Sequence, residues 1–117
     1  MNAVKVEDLA NNIIAFELER EPQLNGELQT ILDIAADRSD CNVILDFTYV
    51  DIITSPALSK LLKLRQTLLD SGYRLIFFSI HPFTRSAFMI TGLDGIFELA
   101  VDKPAALAIL RSGQLVG

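Results

Sequence analysis

Val43-Ile44-Leu45-Asp46-Phe47 is apolar at positions that fall on both faces of a pleated strand. A strand with one wet face alternates apolar and polar residues. One that does not alternate is covered on both sides, as in parallel sheets flanked by helices. Tyr73-Arg74-Leu75-Ile76-Phe77-Phe78 repeats the pattern. Between the two, Leu58, Leu61, Leu62, Leu64, Leu68 and Leu69 fall at helical spacing, and Ser71-Gly72 supplies the expected glycine stop. Strand, helix, strand in that order is a parallel crossover.

The same logic extends in both directions. Upstream, Val4 to Val6 and Ile13 to Leu18 read as two strands of an edge hairpin, turning through Glu7, Asp8, Asn11 and Asn12. Pro22 bars continuation of the second strand. Leu24, Leu28, Ile31, Leu32 and Ala35 then mark a helix that exits through Asp37 to Asp40. Downstream, His81-Pro82 opens a helix through Arg85, Ala87, Phe88 and Ile90, stopped by Gly92. Ile96 to Val101 is a last strand, and Lys103 to Leu110 a last helix with Pro104 near its start. The predicted order is β-β-α-β-α-β-α-β-α. It defines an α/β domain with a central, mostly parallel five-stranded sheet, about four helices, and the first strand antiparallel at the edge.

Composition bounds what such a domain does. At 117 residues, residues 1–117 form a single domain with one core. Half of the residues are hydrophobic and 21% are charged, which excludes a disordered chain. A formal net charge of -5 argues against a nucleic-acid partner, because phosphate backbones need a basic surface. No apolar run approaches the roughly 20 residues of a membrane span, so no membrane insertion is expected. The lone Cys41 has no internal disulfide partner, and Met1 to Lys5 carry no export signal, so a cytoplasmic location is predicted.

Most catalytic constellations are missing. Neither phosphate-cradling glycine motif occurs, and one histidine with one cysteine does not make a structural zinc site. Cys41 lacks a basic neighbour that would activate it and reads as a small buried filler. His81 reads as a partly exposed loop histidine. Asp46 and Asp51 flank the loop after the central strand, where paired carboxylates can bind a cation, but surface aspartates at strand ends are common. No catalytic residue, metal or cofactor is assigned, and the chain is not read as an enzyme.

Ser55 stands apart. Pro56 is favoured as the first residue of a helix, which makes Ser55 the expected N-cap, accepting from an amide one turn in and contributing about 1 kcal/mol. From Ser55 a polar stripe runs through Ser59, Lys63 and Gln66, with Lys60 and Thr67 beside it. Such a stripe is ordinarily a solvated face. A phosphoryl group on Ser55 would add roughly -1.5 to -2 charge at a helix N-terminus, where the dipole and free amides favour an anion. Ser55 is therefore either an ordinary cap or a switch that acts on binding rather than folding.

The whole chain resembles the STAS domain family, named for sulfate transporters and anti-sigma-factor antagonists. The family motif runs from an aspartate through a valine and an isoleucine into Asp-Ser-Ser-Gly and a leucine-rich helix. Asp46-Phe47-Thr48-Tyr49-Val50-Asp51-Ile52-Ile53 followed by Thr54-Ser55-Pro56-Ala57 is similar to it without a gap. Gly72 to Ile76, His81 to Arg85, Thr91 to Phe97 and Lys103 to Leu107 resemble later family segments. Residues 40 to 110 match well and the first 35 weakly. The resemblance implies a free-standing bacterial signalling module for transcription regulation. Its partner would be an anti-sigma factor or a serine/threonine kinase with a histidine-kinase-like ATPase fold, and the kinase would phosphorylate the first motif serine.

Ser55 matches that acceptor, with Thr54 second. Thr54, Pro56 and Ala57 depart from the motif's aspartate, second serine and glycine. The implied partner surface comprises Asp46, Asp51, Thr54, Ser55, Pro56, Ser59, Lys60 and Lys63. An alternative is a non-phosphorylated interaction subunit of a stressosome-like or transporter-associated complex. Nucleotide binding ranks last, for want of a phosphate cradle.

Overall fold

A computed structural model of the chain describes residues 5–9, 12–38 and 40–116. Its strands are β1 (Lys5–Leu9), β2 (Ile13–Glu17), β3 (Asn42–Asp46), β4 (Leu75–Phe78) and β5 (Glu98–Ala100). The helices are α1 (Gln23–Asp37), α2 (Ser55–Asp70), α3 (Pro82–Ile90) and α4 (Lys103–Val116), with a 3-10 turn at Leu93–Gly95. Each begins or ends where the local chemistry requires. His81 caps α3 by accepting the Phe83 N–H on Nδ1 at 3.2 Å. Past α2, Gly72 takes φ +84°, a conformation that costs a side-chain-bearing residue and suits glycine.

The five strands lie in the order β1-β2-β3-β4-β5. β1 runs antiparallel to β2, and the other neighbours are parallel. A sheet that advances one way through right-handed crossovers must carry all its crossover helices on one face. Accordingly α1, α2 and α3 share the larger core, where Phe16, Leu45 and Phe77 of the sheet meet Leu28, Leu64 and Phe88. The alternate strand residues, Ile13, Ala15, Ile44, Ile76 and Phe78, face the other way and are covered by Ala106 and Leu110 of α4. Both faces are thereby dry, as the unbroken apolar strands require.

Phe77 is the hub of the larger core. Its ring lies 4.7 Å from both Phe47 and Phe97 and 6.1 Å from Phe88. These contacts join the loop after β3, helix α3 and the approach to β5.

Two expectations change. The first strand runs through Glu7 and Asp8 to Leu9 instead of turning there; an edge strand tolerates charged residues along its length. Val4 and Asn11 lie outside the described residues. Leu62 and Leu69 are exposed, whereas Ala57, Leu61, Leu64 and Leu68 hold the buried side of α2. Helical spacing does not tell which edge of a broad leucine stripe is covered. A residue the apolar spacing did not single out, Glu27, is buried within α1, where its Oε1 accepts the Glu19 N–H at 2.7 Å and ties the chain just after β2 to the helix.

Burial pushes the Glu27 carboxyl above its ordinary 4.5, and the nearby Glu19 and Glu17 charges add to the rise. A carboxyl whose folded pKa is raised favours folding while protonated, and that contribution is lost as pH climbs through the folded value. Glu27→Gln keeps an acceptor and removes the buried charge. It should raise the Tm at pH 7 to 8, with the gain shrinking as pH falls to 4.5 and below, as thermal melts across that range would record. Phe77→Ala should cost about 3 to 5 kcal/mol in urea unfolding, because a cavity opens where four rings meet.

Candidate functional site

β3 carries the chain to the edge of the sheet, where residues 47–54 form the loop into α2. Two buried anchors fix this loop: Phe47 against Phe77, and Val50, whose N–H returns to the Phe47 carbonyl at 2.9 Å. At its start, Asp46 Oδ1 accepts from Thr48 N–H at 2.9 Å and from the Thr48 hydroxyl at 2.5 Å. At its middle, the buried Thr84 hydroxyl of α3 donates to the Asp51 carbonyl at 3.1 Å. Loop and α3 are thus clasped together.

The cap of α2 is Thr54, one residue before the expected Ser55. Thr54 has extended backbone, and its hydroxyl accepts the Ala57 N–H at 3.4 Å while donating to Glu21 Oε1 at 3.2 Å. Ser55 is the first helical residue and Pro56 the second. Threonine and serine both cap well, and proline suits either of the first two helical positions, so residue type alone does not set the register. The shift changes the chemistry of Ser55. Its hydroxyl is exposed and has no hydrogen-bond partner among the described residues.

Ser55 opens onto a groove of about 220 Å³ between α2 and α3, shared with Ile53, Leu58, Ala87, Phe88 and Thr91. Apolar residues surround it. Phe83, Ala87 and Ile90 follow one another at helical spacing along the outer side of α3, with Phe83 74% and Ile90 86% exposed. Ile52 in the loop and Leu62 on α2 are exposed as well. The His81 ring stacks on Phe83 at 5.2 Å and holds it in place. An exposed apolar surface of this kind is a candidate docking face. The spacing of Phe83, Ala87 and Ile90, beside the buried Thr84 and Phe88, was its sequence signal: a nine-residue helix whose apolar residues extend well beyond the buried side.

The other expected site residues divide. Ser59 and Lys63 continue outward from Ser55 and are exposed, as are Pro56 and Asp51. Lys60 turns to α1, where its ammonium donates to Asn25 Oδ1 at 2.8 Å. Asp46 lies on the other face of the sheet. There it lines a separate cleft of about 130 Å³ with Glu7, Glu17, Phe78 and Lys103, across which Lys103 pairs with Glu7. Asp46 and Asp51 are therefore not a pair, and no cluster of metal-ligating side chains occurs among the described residues. No described helix is long and apolar enough to cross a membrane. Cys41 is buried.

The sheet order and crossovers fit an α/β class to which the sequence also assigns the chain. The STAS domain model matches residues 2–106, so the chain belongs to the STAS family. No curated protein matches the sequence. Among solved structures, an anti-sigma-factor antagonist STAS domain protein from Planctomyces limnophilus superposes with a TM-score of 0.80 at 16% identity, covering 92% of this chain and 97% of that one. The anti-sigma factor antagonist SpoIIAA in its unphosphorylated form gives 0.75 at 17% identity, covering 94% and 97%. The Bacillus cell fate determinant SpoIIAA in its phosphorylated form gives 0.67 at 16% identity, covering 92% and 99%. At these identities the likeness is one of fold.

The cap assignment makes a sharp prediction. Thr54→Ala should lose about 1 kcal/mol, because the Ala57 N–H and Glu21 each lose a partner. Ser55→Ala should change stability by no more than about 0.5 kcal/mol, as for an exposed side chain without contacts. Chemical denaturation of both variants reads the difference, and the reverse order would restore Ser55 as the cap.

Proposed function

We propose that the protein is an anti-sigma-factor antagonist-like binding module. It docks an anti-sigma factor or a serine/threonine kinase with a histidine-kinase-like ATPase fold on the α2–α3 face, and phosphorylation of Ser55 switches that docking. The observation that carries the proposal is the Ser55 hydroxyl, exposed at the mouth of an apolar groove while Thr54 does the capping. An acceptor must be reachable, and its modification must leave the helix folded. Ser55 meets both conditions, since the helix dipole favours an anion in the first turn. A group of roughly -1.5 to -2 charge there disturbs whatever covers the groove. The SpoIIAA neighbours, solved in unphosphorylated and phosphorylated forms, agree with such a role.

The Thr54 hydroxyl is already engaged, accepting from Ala57 and donating to Glu21. The docking surface comprises Asp51, Ser55, Pro56, Ser59 and Lys63 with the neighbouring apolar residues. The role asks for no catalysis or cofactor from this chain and places it in the cytoplasm of a bacterium.

One observation favours the second reading, a non-phosphorylated subunit of a stressosome-like or transporter-associated complex. Pro56 has no N–H, and the Ala57 and Leu58 amides already bond Thr54, so a phosphate here meets the dipole but few free donors. Incubation with the cognate kinase and ATP, followed by mass spectrometry, separates the readings. Phosphate is expected on Ser55 and not Thr54. Ser55→Asp should weaken partner binding about tenfold or more with an unchanged circular dichroism spectrum, and Ser55→Ala should bind as the parent does. No phosphate on either residue, together with unchanged binding by Ser55→Asp, would leave the second reading standing.

A further inference from the structure

The hydroxyl that caps α2 gives its proton to a carboxylate from another part of the chain: Thr54 donates to Glu21 Oε1 at 3.2 Å. Glu21 stands in the turn between β2 and α1, and that turn is held on both sides. Leu18 is fully buried, with its N–H on the Asp46 carbonyl at 3.1 Å. The Glu19 N–H meets Glu27, and the Arg20 carbonyl accepts the Leu24 N–H at 3.1 Å. Helix α2 has no acidic residue of its own in the first turn. Asp51, in the loop before the cap, has an exposed carboxylate with no hydrogen-bond partner among the described residues. Glu21 is therefore the carboxylate bonded at the positive end of α2, where an anion is favoured.

A phosphoryl group on Ser55 would arrive at that same end. Ser55 adjoins Thr54, so the two anions would stand about a Debye length apart or less, roughly 8 to 10 Å. They repel, and the exposed bond from Thr54 to Glu21 is the cheapest one to give up. Free amides are scarce, because Pro56 has no N–H and the Ala57 N–H is held by Thr54 Oγ1. The Thr54 proton is then the donor that a phosphoryl oxygen can capture, in a charge-assisted bond.

Resting on the phosphorylation of Ser55 proposed above, we infer that Glu21 is the resident anion of the α2 N-terminus and that a phosphoryl group on Ser55 displaces it. The Thr54 O–H turns from the Glu21 carboxylate to a phosphoryl oxygen, and the β2–α1 turn is released. Thr54 Oγ1 keeps the Ala57 N–H, so α2 stays capped. A second tie, from the Lys60 ammonium to Asn25 Oδ1 at 2.8 Å, involves no carboxylate and holds, which confines the release to residues 19–21. Glu21 is thus a positioning residue, and the modification is felt at the groove mouth and also at a turn whose Glu19 and Arg20 are exposed.

The test places phosphoserine at position 55 of the full chain during translation, which needs no kinase. Amide NMR should show shifts at Thr54 to Leu58 and at Glu19 to Glu21, with Asn25 and Lys60 little changed. Glu21→Gln keeps an acceptor for Thr54 and removes the charge, so the same modification should then shift Thr54 to Leu58 alone. Asp51→Asn should leave the shifts at Glu19 to Glu21 in place. In a phosphorus NMR titration, the second ionisation of the phosphoryl group should lie at lower pH in Glu21→Gln than in the parent, because a like charge has gone. Glu21→Asp should behave more like the parent, and the difference should at least halve in roughly 0.5 M salt.

Unmoved resonances at Glu19 to Glu21, or the same phosphoryl ionisation in the parent and Glu21→Gln, would overturn the proposal and leave the kinase assay on Ser55 unaffected. The expected shifts in a chain that its kinase never phosphorylates would uphold the coupling and refute only the phosphorylation reading.

Discussion

The handedness of the parallel crossover is the constraint on which this structure depends. With strands laid down in chain order, right-handed connections place α1, α2 and α3 on one face and leave the other to α4. Two consequences follow for function. The first turn of α2 and the length of α3 become neighbours on one surface, so the groove between them exists because of topology. The carboxylate of Asp46, only nine residues before Ser55, is sent to the opposite face by the alternation of β3.

Within that frame, a few buried anchors hold an exposed loop. Phe47 and Val50 are fully buried, Thr84 clasps the Asp51 carbonyl, and Thr54 bridges Glu21 and the Ala57 amide. The loop is pinned at its start, middle and end, while Ile52, Ser55 and Pro56 remain outside. A binding site needs this combination: a rigid support lowers the ordering cost of association, and exposed groups supply the contacts.

Much of this was legible in order. Val43 to Phe47 and Leu75 to Phe78 lack alternation, so a doubly covered parallel sheet followed, and Gly72 stops α2 where expected. The STAS likeness located the loop. What was not legible depended on neighbours distant in sequence. The Thr54 cap is reinforced by Glu21, and Leu62 and Leu69 stay exposed while Leu61, Leu64 and Leu68 are buried. Lys60 fits the polar stripe by spacing yet turns to Asn25 because α1 lies within reach.

The sequence by itself determined the class of fold, the element order and the neighbourhood of Ser55, because periodicity, proline and glycine act locally and dictate which faces need cover. Only the tertiary structure decided which hydroxyl caps α2 and which is left exposed. It also decided which leucines stay at the surface and which of two nearby aspartates shares a face with the groove. Those outcomes turn on hydrogen bonds and packing between elements that local propensity does not encode: Glu21 reaching Thr54, α3 lying beside α2, and the pleat of β3 turning Asp46 away.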